Sequence, residues 1–359
     1  MSVPLRLLAN HLADKALESF LVMRPENVRY LSGYTGDDSY LLVTRDRTLF
    51  VTDPRYMEQA AQECPGLASV NWRDEATSLP AALVSLAKKA GLQSVAFESD
   101  YLTFSAYQTM AAAFGDSVRL EPTTGVVEGF RKIKRPDEIE KLRESCAIAD
   151  RALARLCDDI RPGLSEKELA ALLALHLVRE GSDTKPYGGI LISGKRTSLL
   201  HGIPSDKKVE KGDFVLIDFG GQYQGYLADM TRTVVVGRAT DEQKEVYAYE
   251  RAMVEATLAA IKAGAASRDV FAASTKPIEG TKYFGYHYTG IGHGIGLFVH
   301  ELPFLSPRSD DVLAAGMVMT VEPGIYIPDW GGVRIEDQLL VTEDGYEDFT
   351  STTKELVEI

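Results

Sequence analysis

The chain reads as an α/β layer domain followed by an α+β domain in which helices back antiparallel hairpins, and three observations predict this. Helix-like and strand-like stretches alternate up to about residue 125, the pattern of a layered domain with a mostly covered sheet. The composition then shifts to a basic run ending in proline, Arg131-Lys132-Ile133-Lys134-Arg135-Pro136, followed by an acidic helix start, Asp137-Glu138-Ile139-Glu140. Beyond it, helices followed by a hairpin occur twice, a hint of internal duplication. A chain of 359 residues also exceeds one ordinary core. The expected organisation is a domain over 1–125, a solvated linker over 126–136 and a second domain over 137–359.

In the first domain Leu5–Leu17 is expected as a helix, and Ser39–Thr44 and Thr48–Thr52 as strands joined by the polar turn Arg45-Asp46-Arg47. Ser78–Ala90 is an amphipathic helix with Ser78 as N-cap, Pro80 in its first turn and Gly91 after it. Ser94–Glu98 reads as a strand, and Phe104–Phe114 as a helix ended by Gly115. In the second domain a long helix over 137–160 stops at Pro162-Gly163. Two more helices open on capping boxes, Ser165 with Glu168 and Thr240 with Gln243. Hairpins are expected over 213–236 and 317–342.

Composition narrows the function classes. A formal net charge of -13 argues against a nucleic-acid or anionic-membrane partner, both of which need a basic face. The three cysteines, Cys64, Cys146 and Cys157, are widely spaced without a Cys-x-x-Cys pair, which fits a reducing compartment and buried thiols. Asn10, His11, Asp14 and Lys15 interrupt the apolar N-terminal stretch, so no signal peptide is expected, nor a membrane span; the expected location is the cytoplasm.

The chemistry lies in the hairpins. If the first turn centres on Tyr223-Gln224, Asp218 falls opposite Asp229 on one sheet face, beside Val215–Ile217 and Leu227-Ala228. Two such charges repel by about 4 kcal/mol at an effective dielectric of 20, so a proton, an arginine such as Arg232, or a cation must compensate. In the second hairpin Glu322 ends one apolar strand and Glu336 interrupts another. The stretch Gly290–Pro303 adds His293, in a run dense with glycine that lets the backbone approach a ligand closely. Four carboxylates and one imidazole exceed what one tetrahedral zinc needs and suit two divalent ions; oxygen-rich ligation favours Mn²⁺, with Co²⁺ or Zn²⁺ as alternatives.

Asp218, Asp229, His293, Glu322 and Glu336 resemble, in order and local context, the ligands of the pita-bread metallopeptidases, the family of methionine aminopeptidase, aminopeptidase P and prolidase. The surrounding words match too: Leu200-His201-Gly202, Ile217-Asp218-Phe219-Gly220, Gly292-His293-Gly294-Ile295-Gly296, Val299-His300-Glu301, Val321-Glu322-Pro323-Gly324 and Arg334-Ile335-Glu336. The likeness runs from about residue 131 to the end. Asn27–Gly33 and Thr52-Asp53-Pro54-Arg55-Tyr56 resemble the creatinase-type N-terminal domain of the proline-specific branch. The fold implied is an α/β N-terminal creatinase-like domain plus an α+β pita-bread catalytic domain.

The resemblance implies that Asp229 and Glu336 bridge two metals, that Asp218 serves one and that His293 and Glu322 serve the other. Glu322 doubles as general base, His201 and His300 bond substrate and shuttle protons, and Arg334 braces the carboxylates. It also implies a homodimer in which the loop Gly33–Tyr40, with Asp37 and Asp38, lines the partner's site.

Two positions depart from the family pattern. Relatives usually have a histidine four residues before the metal histidine; here Thr289 stands there, with His287 two residues further back. Prolidases commonly have an arginine directly after the Val-His-Glu-Xaa-Pro run, where it grips a dipeptide's carboxylate; here that position is Phe304, with Arg308 four residues on. The expected function is therefore an Xaa-Pro aminopeptidase acting on longer peptides with proline second, ahead of an Xaa-Pro dipeptidase. A non-catalytic peptide-binding member of the fold stands third, because such members typically lose ligands and all five candidates are present here.

Overall fold

The computed structural model describes residues 2–183 and 189–359 and divides into two compact units, Met1–Arg131 and Lys132–Ile359. The first unit is built on a six-stranded mixed sheet. Its strands run in the order Ala68–Asn71, Thr48–Thr52, Tyr40–Thr44, Ser19–Val22, Ser94–Glu98, Arg119–Thr123. Phe20 and Leu21 of the Ser19–Val22 strand pair antiparallel with Tyr40–Thr44 on one side and parallel with Ser94–Glu98 on the other. The helices Leu79–Lys89 and Phe104–Phe114 cover the sheet, and Leu83, Leu86, Met110 and Phe114 are buried with Leu21, Leu42, Val95 and Phe97.

Local signals account for these elements. Ser78 Oγ accepts the Ala81 N–H and Thr103 Oγ1 accepts the Ala106 N–H, so both helices start on a side-chain cap. The first helix runs Val3–Asp14, earlier than Leu5–Leu17, because Ser2 caps it with Pro4 in its first turn and Ala16 turns to φ 55°.

The segment 126–136 is no solvated linker. Val126–Arg131 is a helix, Val127 is fully buried, and Arg131 is 4% exposed with its guanidinium donating to Asn27 Oδ1 at 2.7 Å. An apolar Val-Val pair and a buried hydrogen-bond partner fold what composition alone marked as a connector.

The second unit places helices Pro136–Asp159, Glu166–Arg179, Asp241–Ala260 and Ser267–Thr275 with strands whose ladders, among the described residues, are antiparallel; the strand Met230–Val235 also makes one parallel bridge, from Val235 to Glu358. Both expected capping boxes form, at Ser165/Glu168 and Thr240/Gln243. One sheet orders Met230–Val235, Phe214–Phe219, Ile190–Ser193; another orders Glu301–Phe304, His293–Gly294, Val318–Val321, Asp337–Val341, Tyr346–Asp348. A bridge between Thr231 and Glu336 joins strands of the two, with the Glu336 N–H donating to Thr231 O at 3.0 Å. Val246, Met253 and Val254 on the Asp241–Ala260 helix bury against Ile325, Val333 and Ile335.

The first hairpin differs from expectation in register. Asp218 pairs with Thr231, and Tyr223 pairs with Tyr226, so the turn residues are Gln224 and Gly225 rather than Tyr223 and Gln224. Both have positive φ, 48° and 85°, as a two-residue turn matching the twist of its strands requires. Glycine at the second position supplies that conformation without strain, which Gln224 following Tyr223 could not do. The shift is two residues, so alternation keeps Asp229 on the same face as Asp218, diagonal to it instead of opposite. We expect Gly225→Val to destabilise the protein by about 1–2 kcal/mol, since a β-branched residue must enter the left-handed region; a thermal unfolding midpoint equal to wild type would contradict this turn assignment.

Candidate metal centre

Each ligand candidate sits where a strand ends or breaks. Asp218 is the penultimate residue of Phe214–Phe219, Asp229 precedes Met230–Val235, Glu322 follows Val318–Val321, and Glu336 lies between Gly331–Arg334 and Asp337–Val341. His293 opens a two-residue strand held between Glu301–Phe304 and Val318–Val321. That position demands glycine on both sides: a Cβ at Gly292 would lie 2.2 Å from Thr320 O, and one at Gly294 would lie 2.1 Å from Leu302 O.

The ligand atoms of Asp229, His293 and Glu336 all lie within 4.8 Å of one another, on residues that are 5%, 6% and 1% exposed. His293 Nε2 stands 3.3 Å from Glu322 Oε1 and 3.7 Å from Asp229 Oδ2. His293 Nδ1 is 3.1 Å from Gly294 O, so it donates there and leaves Nε2 to point into the cluster. Glu336 Oε2 accepts the Thr231 hydroxyl at 2.7 Å, whereas Glu336 Oε1 is buried and accepts no hydrogen bond from the described residues.

Asp218 is held differently. Arg334, 3% exposed, donates to Asp218 Oδ2, to Thr231 Oγ1 at 3.1 Å and to the Tyr326 hydroxyl at 2.7 Å. Arg232, weighed from sequence as the compensating cation, is bound elsewhere, to Asp337 Oδ1 at 2.7 Å and to the Glu336 carbonyl at 2.7 Å.

The electrostatics expose a shortage of positive charge. Burial, then the charges of Asp229 and Glu322, pushes the Glu336 carboxyl well above its ordinary range. Burial also raises Asp218, against the pull of Arg334. Burial alone would raise Glu322, but hydrogen bonding and charge from His293 outweigh it and hold the carboxyl low. Burial would lower His293, yet Glu322 brings it up to about 8. An orphaned carboxylate oxygen, three converging buried donors and an oxygen-rich set fit divalent cations.

This cluster lines a cavity of about 660 Å³. Its wall also includes His201, His300, Phe304, Tyr288, Ile203 and Pro204. The His300 ring meets the His293 ring edge-on, 4.5 Å between centroids, and burial followed by the charge of His293 lowers its pKa. Phe304 lies in register with His293 across the strand pair.

Two sequence candidates, His287 and Arg308, do not line this cavity. His287 is not in the cavity wall: its Nδ1 is 2.6 Å from Phe284 O, its ring packs near Phe284 and Phe271, and Tyr288 faces the cavity in its place. The His287 backbone pairs with Ile325, and alternation from that pairing turns the neighbouring side chain inward. Asp37 and Asp38 belong to a surface pocket of the first unit with Tyr40, Tyr56 and Tyr101, where Asp38 accepts from Arg55 at 2.8 Å. Arg308 is absent from the cavity lining. Thr231, Tyr326 and Tyr288 went unread in the sequence. Thr231 had a usable signal, since it lies two residues from Asp229 and shares its face.

A divalent cation such as Mn²⁺ is expected to raise the melting temperature of the wild-type protein, and Glu336→Gln to abolish that rise. For a site at a hundredfold excess of ion over Kd that rise reflects about 2.7 kcal/mol. An undiminished Mn²⁺-induced shift in the variant, read by differential scanning fluorimetry, would remove Glu336 from the site.

Comparison with known proteins agrees with this geometry. Residues 140–343 match metallopeptidase family M24, and residues 5–133 match the creatinase/prolidase N-terminal domain. The solved Xaa-Pro dipeptidase from Bacillus anthracis superposes with a TM-score of 0.94 at 38% identity, covering 99% of both chains. The X-Pro aminopeptidase from Thermotoga maritima gives 0.91 at 33%, covering 98% of both. The Xaa-Pro dipeptidase of Pyrococcus furiosus is 32% identical over 99% of this chain and 100% of its own. No helix among the described residues is long and apolar enough to cross a membrane. The chain therefore belongs to metallopeptidase family M24, with a creatinase/prolidase N-terminal domain ahead of a pita-bread catalytic domain.

Proposed function

We propose that this protein is an Xaa-Pro dipeptidase that works with two divalent cations, Mn²⁺ by preference, held by Asp218, Asp229, His293, Glu322 and Glu336. The observation that carries the reading is the buried convergence of Asp229, His293 and Glu336 at the floor of a cavity walled by two further histidines. Cations there would lower the pKa of a water and polarise the scissile carbonyl. Glu322, whose carboxyl His293 holds low, would serve there as the general base. His300, with its lowered pKa, is neutral near pH 7 and can accept or donate a hydrogen bond to substrate. His201 offers a second imidazole from the adjacent wall. Arg334 orients Asp218 and offsets part of the cost of its burial. A homodimer in the cytoplasm belongs to the same reading.

The relatives favour the dipeptide reading over the longer-peptide reading that the sequence put first. The Bacillus anthracis and Pyrococcus furiosus proteins are both named Xaa-Pro dipeptidases. One observation supports the Xaa-Pro aminopeptidase reading as second: Phe304 lines the cavity where a carboxylate-gripping arginine would otherwise stand, and Arg308 does not line it. With Mn²⁺, Co²⁺ and Zn²⁺ supplied in turn, Xaa-Pro dipeptides should be hydrolysed faster than Xaa-Pro-Yaa peptides, and Met-Ala-Yaa hardly at all. Products read by mass would reverse the order of the two readings if the tripeptides were the better substrates. Glu322→Ala should abolish turnover on every peptide; a variant with wild-type rates would sink the assignment.

A further inference from the structure

Of the two lysines in the basic run at 131–136, Lys134 is buried and Lys132 is partly buried. The Lys134 side chain is 1% exposed, its Nζ lies 3.7 Å from Glu301 Oε2, and its backbone N–H donates to Gly316 O at 2.8 Å. Glu301 directly follows His300 in the chain. Its other oxygen, Oε1, accepts the Phe298 N–H at 2.9 Å, so the carboxylate closes the turn whose last residue is His300. At the far end of the same strand Lys132 Nζ donates to Asp311 Oδ1 at 2.5 Å, and Asp311 Oδ2 accepts the Phe304 N–H at 3.2 Å.

His300 needs such support. No hydrogen bond from the described residues reaches its ring, which meets the edge of the His293 ring. Its side chain is exposed to the cavity, so its position is inherited from its backbone. A buried ammonium beside a nearly buried carboxylate is a costly arrangement unless each satisfies the other, and here the pair ends on the peptide next to a cavity histidine.

We propose that Lys134 and Glu301 are positioning residues for His300: their ion pair fixes the turn 296–300 and so aims the imidazole at the substrate. This rests on the reading of His300 as a group that touches substrate. It assigns a part of the basic run to turnover, where an ion pair of purely structural value would serve folding alone.

A double-mutant cycle on the full chain separates the two. Lys134→Met by itself removes one charge of a buried pair, so the primary variant is Lys134→Met with Glu301→Gln, which removes both charges. With Mn²⁺ and an Ala-Pro dipeptide, kcat is expected to fall about tenfold, the scale of cost that a misplaced catalytic group carries. Bound Mn²⁺, measured by elemental analysis, should match wild type, and Lys134→Arg should recover much of the loss. In a His300→Ala background the same pair of substitutions should change kcat less than about twofold, because the group they position is gone. Should the double variant not accumulate as folded protein, Glu301→Gln alone keeps an acceptor for the Phe298 N–H and is expected to show the same dependence on His300. Wild-type kcat in the double variant, or a loss that multiplies undiminished in the His300→Ala background, overturns the proposal. Unimpaired turnover by His300→Ala alone overturns the role of His300 itself and this proposal with it, an outcome distinct from the other two.

Discussion

Three buried ligand groups with their donor atoms inside 4.8 Å are the constraint on which the second unit depends. The two carboxylates among them, Asp229 and Glu336, repel at that spacing by about 4 kcal/mol at an effective dielectric of 20. The surrounding elements read as responses to that cost. Thr231 satisfies one oxygen of Glu336, Gln338 Oε1 accepts the Asp229 N–H, Thr320 Oγ1 accepts the His293 N–H, and Arg334 neutralises Asp218. What these contacts leave uncompensated, chiefly Glu336, is what a cation supplies.

The antiparallel pairing of the second unit follows from the same need. Carboxylates at strand ends can converge only if several strands stop at one place, and the Thr231–Glu336 bridge brings strands from two sheets to that point. Arg334 then ties Asp218 on one strand to Tyr326 on another and to Thr231 on a third. Val246, Met253 and Val254 of the helix Asp241–Ala260 pack in one buried cluster with Ile325, Val333 and Ile335 of these strands and their flanks.

Much of the architecture was legible in the sequence wherever local chemistry decides it. The strand Ser94–Glu98 and the helix Phe104–Phe114 fall where periodicity and flanking glycine place them, because caps act within a few residues. The strand Ser19–Val22 was missed, since all four of its residues are buried and it shows no alternation to read. The hairpin register was off by two residues, because symmetry about Tyr223-Gln224 took no account of where positive φ is tolerated. Among the candidate site residues, the proposed ligands stand out as carboxylates interrupting apolar strands. Tyr326 and Tyr288 do not, being ordinary aromatics until tertiary packing turns them toward the cavity. The basic run was misread for a related reason: a lysine's burial depends on a carboxylate far along the chain, which composition cannot reveal.

The glycines beside His293 bear on how this region would look in a survey of tolerated substitutions. Their missing side chains make room for Thr320 O and Leu302 O. Positions 292 and 294 would register as intolerant as the ligand between them, though neither offers a functional group. Intolerance here would measure steric crowding of backbone against backbone, and a map of essential positions would draw the active site wider than its chemistry.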